Sequence, residues 1–114
     1  MAPPAAAGTQ FTVWIHYAAK GGDVERARAR DLRSKVNDIL KKDFAAPGIQ
    51  AVDAVPSRDQ IRIYHRTDTD QEKARELQTA LGLQQAQIVS LASVYPSLPN
   101  GIIEVWLANP KTPQ

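Results

Sequence analysis

The residues FTVWIHY at 11–17 alternate bulky apolar positions with other side chains and contain neither Gly nor Pro, the pattern of an interior β-strand. Phe11, Val13, Ile15 and Tyr17 form one face, suited to lie beneath a helix, and Thr12, Trp14 and His16 form the other. Aromatic rings on the nominally exposed side of a strand need a reason, because bare aromatic surface invites association.

The period then changes. Over residues 24–44, Ala29, Leu32, Val36, Ile39 and Leu40 recur at three- and four-residue spacing among Arg and Lys. This predicts one long helix, opened by Asp23 as N-cap and stopped by Pro47 and Gly48. Its charges are of both signs, as on an ordinary solvated helix. Residues 49–55 read as a short strand that Asp53 and Pro56 keep near a sheet edge. Residues 61–65, IRIYH, form a second alternating strand, with Ile61, Ile63 and His65 opposite Arg62 and Tyr64. The polar turn between these strands predicts a hairpin. Asp68, with Gln71 three residues on, predicts the cap of a second helix running to Leu81, whose inward stripe is Ala74, Leu77 and Leu81 and whose stop is Gly82. Residues 87–95 and 102–107 are the last strands, separated by a Pro-containing turn.

This order fits an α/β (α+β) fold of the ferredoxin-like plan: two split β-α-β units in one sheet, an additional C-terminal strand, and two helices on one face. Right-handed crossovers make strands 11–17 and 61–65 direct neighbours at the centre. Strand parity then collects Trp14, His16, Arg62, Tyr64 and Trp106 on the uncovered face, with Ile103, Val105 and Leu107 turned inward.

Composition narrows the classes. A chain of 114 residues holds one domain, here 11–107, with a tail at 108–114. The Pro/Ala/Gly-rich residues 1–10 read as a disordered linker, the tether to an upstream anchor or domain. With no Cys there are no disulfides or thiolate metal ligands. No apolar run reaches the roughly eighteen residues of a spanning helix, so no transmembrane segment is expected in this chain. A formal net charge of +2 gives only a slight basic bias.

Catalytic chemistry has no constellation to work with. Ser34, Ser57, Ser90, Ser93 and Ser97 have only His16 and His65 as bases, and alternation puts those two on opposite faces of the sheet. Asp68 and Asp70 are followed by Lys73 and Arg75 where a calcium loop needs further oxygen ligands, so they read as helix-start acids and no metal is expected. Gly21 and Gly22 lack the wider pattern of a phosphate loop and read as a turn. Neither a cofactor nor an enzymatic activity is expected.

The segments FTVWIHYA, IRIYHRTDTDQEKARELQTALG and GIIEVWLANP resemble a bacterial module found at the C-terminal ends of otherwise unrelated proteins. It is similar in size and plan to the C-terminal domain of LytR-type cell-envelope proteins and, more distantly, to sporulation-related peptidoglycan-binding repeats. The resemblance is carried by strand and cap patterns over about residues 11–107. It implies a periplasmic or cell-envelope location and glycan binding on a sheet surface, but it transfers no binding-site motif, and the long basic helix departs from it.

The functional expectation is therefore a non-catalytic accessory module. A guanidinium among flat rings stacks on sugars, bases or protein side chains, so Trp14, His16, Arg62, Tyr64 and Trp106 are the expected ligand-binding or interface residues. The partner classes are a protein or a cell-wall glycan, with self-association as a further option. The alternative is a single-stranded nucleic acid on the aromatic sheet face. It is disfavoured by the slight net charge and by the absence from QIRIYHR of the Gly and aromatic spacing typical of RNA platforms.

Overall fold

Val13 and Ile15, Ile61 and Ile63, Ile103 and Val105 are buried almost completely, and each pair marks the inward positions of one strand. A computed structural model describes residues 11–64, 67–91 and 101–108. Its elements are β1 (Phe11–Ala18), a 3-10 turn (Ala19–Gly21), α1 (Gly22–Ile39), β2 (Phe44–Val52), β3 (Gln60–Ile63), α2 (Asp68–Ala80), β4 (Gln87–Ser90) and β5 (Ile102–Trp106). The strands make one mixed sheet in the order β2-β1-β5-β3-β4. β1 is parallel to both β2 and β5, and β3 is parallel to β4 but antiparallel to β5.

Ala29, Leu32 and Val36 of α1 and Ala74 and Leu77 of α2 join the inward strand residues in a single apolar cluster. Both helices therefore cover the same face, as expected, and each fully buried aliphatic side chain contributes about 1.5–3 kcal/mol. Ile39, placed in that core by its spacing, is instead 72% exposed at the last turn of α1.

The strand order corrects the expected ferredoxin-like arrangement. β1 and β3 are not neighbours, because β5 lies between them. Each β-α-β unit is unsplit, its two parallel strands lying side by side. The expected hairpin between β2 and β3 is also absent: β2 sits at one edge and β3 lies beyond β5. α1 ends at Ile39, the N–H groups of Asp43 and Phe44 both donate to the Leu40 carbonyl, and the Phe11 N–H donates to the Asp43 carbonyl, so the chain enters β2 directly beside the start of β1. β2 consequently starts at Phe44 rather than near residue 49, and Phe44 is a core residue.

β2 accommodates Pro47 through a register shift opposite Thr12 and Trp14. There α1 supplies what the ladder cannot. The Asn37 amide donates to the Ala46 carbonyl at 2.9 Å and accepts from the Ala46 N–H at 2.8 Å, while Arg33 donates to the carbonyls of Ala46 and Pro47.

The helix starts also differ from expectation. Thr67, not Asp68, caps α2, its Oγ1 accepting from the Asp70 N–H at 3.0 Å. At α1 the cap position is Gly21, with Asp23 in the first turn. Glu25 is no solvated residue: it is 1% exposed, with Oε1 lacking a hydrogen-bond partner among the described residues and lying 3.7 Å from Arg28. The glycine pair serves this packing. A Cβ on Gly21 would come within 2.2 Å of the Glu25 side chain, and Gly22 has a φ of 64°.

One residue ties the end of the sheet where β1, β2 and β5 finish. Asp59 accepts from Arg28 through Oδ2 and from the Ala108 N–H through Oδ1, each at 2.8 Å, and its carbonyl accepts from Gln87. Residues 1–10, 65–66, 92–100 and 109–114 lie outside the described residues, and with them the linker, His65, the end of the strand expected at 87–95 and the tail.

Three substitutions test this packing by chemical denaturation. Leu77→Ala is expected to cost about 2–5 kcal/mol, and Ile39→Ala about 0.5 kcal/mol or less; equal losses would overturn the assigned phase of the helices. Asp59→Ala, which strips the Arg28 and Ala108 donors of their acceptor, is expected to cost about 1–3 kcal/mol.

Candidate functional site

The helix-free face of the sheet carries the outward positions of every strand, and the register sets which side chains meet. Trp14 on β1 lies beside Glu104 on β5, and Glu104 lies opposite Arg62 on β3. In the next row His16 lies beside Trp106, and Trp106 opposite Gln60. All five residues expected at the site thus share one face, with Tyr64 continuing the parity of Arg62 just past β3.

Their roles are unequal. The imidazole of His16 stacks on the Trp106 indole with ring centroids 4.2 Å apart and planes 20° from parallel. The Arg62 guanidinium carbon lies 4.1 Å from the centroid of the same indole. Two groups at that distance cannot share one side of a ring, and β1 and β3 flank β5, so His16 and Arg62 close opposite faces of Trp106. The Trp106 ring therefore has no free face for a base or a sugar.

Glu104 is the hub that parity places on the face but that the search for rings and cations passes over. Its Oε1 accepts hydrogen bonds from both Tyr64 Oη and Trp106 Nε1, the latter at 2.9 Å. Tyr64 is only 4% exposed, so its ring is part of the frame. Arg62 donates from Nε to Gln60 at 3.0 Å, and among the described residues it forms no ion pair with a carboxylate.

Trp14 is the exception. At 39% exposed it is the most accessible aromatic ring among the described residues. Its partner on β2 is Gly48, where an added Cβ would meet no atom within 4 Å. The β2 position paired with Trp14 therefore carries no side chain, and the space over it is open. Sequence reasoning took Gly48 as a helix stop and missed this part; only the parallel pairing of β1 with β2 discloses it. Among the described residues the face offers one accessible ring, a guanidinium without an ion pair and exposed amides such as Gln50, a set suited to non-covalent recognition.

His16 is buried, and burial pushes its pKa below the usual 6.5, opposed by the weaker influence of the Glu104 carboxylate and the Gln50 side chain. Its Nδ1 has no hydrogen-bond partner among the described residues. The folded protein therefore resists a proton that the unfolded chain accepts, so stability is full above about pH 6.5 and falls as pH drops from there toward the lowered folded value. Thermal melts of wild type and His16→Gln across pH 7 to 5 are expected to show a decline that the variant lacks in part; parallel pH profiles would contradict the assignment.

Comparison of the chain with known protein families, with curated proteins and with solved structures found no match in any of the three.

Proposed function

We propose that the protein is a non-catalytic accessory module of the cell envelope that binds a glycan strand on its open sheet face. The observation that carries this reading is Trp14, an accessible indole paired on β2 with Gly48, over which the space is open. A pyranose presents an apolar face to such a ring and hydroxyls to the amides, carboxylate and guanidinium around it. The pattern resemblance to envelope modules supports the same ligand class.

Nucleic acid is the less favoured ligand. Single-stranded nucleic acids bind along successive stacking platforms, yet Trp106 is closed on both faces and Tyr64 is buried, which leaves Trp14 alone as an accessible ring among these.

The test is co-sedimentation with insoluble peptidoglycan, with single-stranded RNA as competitor, at two salt concentrations. Wild type is expected to be retained with little dependence on salt. Trp14→Ala should weaken retention by about 30-fold, the size of a hot-spot loss, with little change in melting temperature. Gly48→Leu should occlude the gap with a similar loss, since the position is open and its φ is not in the left-handed region. Unaltered retention in both variants, or RNA binding that falls steeply with salt, would sink the glycan reading.

A further inference from the structure

The outer edge of β2 is divided into a closed half and an open half. At Ala46 and Pro47 the edge is closed from within: Asn37 and Arg33 occupy the Ala46 N–H and both carbonyls, and Pro47 has no N–H to offer. From Gly48 to Val52 the only neighbouring strand is β1, and among the described residues no group outside the β1 ladder bonds this backbone. Gln50 and Ala51 are exposed here and the flanking residues half-buried. The opposite edge of the sheet, β4, runs only from Gln87 to Ser90.

An open edge is ordinarily guarded by charge, Pro or a bulge. The guards of β2 all lie in the half that α1 has already closed, and GIQAV at 48–52 carries no charge at all. We infer that residues 48–52 pair antiparallel with the same residues of a second copy, joining two sheets edge to edge about a two-fold axis at Gln50.

The occupant follows from symmetry. In a two-fold pairing each residue meets its mirror position along the strand, so pairing all of 48–52 sets Gln50 against its own mate, Ile49 against Ala51 and Gly48 against Val52. A charge at the centre would face itself and be repelled. A foreign strand would impose no such condition, whereas self-pairing needs the neutrality that is found. Gln50 brings both an amide donor and an acceptor, so two of them are complementary. Beyond the paired stretch Asp53 comes opposite Pro47 rather than another Asp53, and Pro47 ends the ladder. The inference does not depend on the ligand of Trp14.

Sedimentation velocity without any ligand, across a range of protein concentration, tests it. Wild type is expected to self-associate to a dimer. Gln50→Lys and Gln50→Glu should each weaken the dimer about tenfold or more, since like charges then meet at the axis. Mixing the two variants should restore it, because the axis then pairs opposite charges. A wild type that stays monomeric, or charged variants that both dimerise like wild type, overturns the proposal. Should either variant fail to fold, amide hydrogen exchange on wild type decides: slower exchange at 48–52 as concentration rises supports the pairing, and exchange independent of concentration rejects it.

Discussion

β5 joins the two halves of the sheet through its hydrogen bonds to β1 on one side and β3 on the other. Each β-α-β unit has only two parallel strands beneath a single helix, a small share of the core. β5 gives one edge to β1 in parallel and the other to β3 in antiparallel, turning two small units into one five-stranded sheet. Ile103 and Val105 lie fully buried beneath the helices at the seam. Because the strand that closes the sheet comes last in the chain, the central contacts are remote in sequence, and folding has to bear the loop-closure entropy of that connection.

The same strand organises the open face. Its outward positions are Ile102, Glu104 and Trp106, and the flanking residues engage the last two: Tyr64 donates to Glu104, His16 stacks on Trp106, and Arg62 covers the indole from the other side. A hydrogen bond to a charged acceptor contributes about 1.5–3 kcal/mol, and a cation held against an indole about 0.5–2 kcal/mol. These contacts make a rigid, partly dry frame out of what sequence alone suggests is a bare binding surface. Trp14 stands outside the frame, exposed and paired on β2 with a glycine.

α1 has a corresponding influence on the edge. Its side chains Arg33 and Asn37 satisfy the irregular backbone around Pro47, and Arg28 reaches Asp59 in the segment that carries the chain from β2 to β3. Part of the mixed charge that suggests a merely solvated helix thus has specific recipients, Arg33 at the Ala46 and Pro47 carbonyls and Arg28 at Asp59. Glu25, buried against Gly21, is the strongest case: it falls on the inward stripe of Ala29, Leu32 and Val36, where its charge alone argues for solvent.

Features that depend on period and on local chemistry are legible along the chain. The alternation in β1, β3 and β5 identified the inward residues and gathered Trp14, His16, Arg62, Tyr64 and Trp106 on one face, because parity holds whichever strands are neighbours. The stripes of α1 and α2 likewise revealed Leu32, Val36, Leu77 and Leu81, and failed at Ile39 only where the helix ran out. Tertiary structure alone decided what depends on which elements meet. Phe44 reads as the end of the first helix and Pro47 and Gly48 as its stop, yet all three lie in β2, where pairing with β1 and clamping by Asn37 outweigh local propensity. The central place of β5, the closing of Trp106 on both faces, the acceptor role of Glu104 and the gap over Gly48 all arise between residues far apart in the chain, where no periodicity records them.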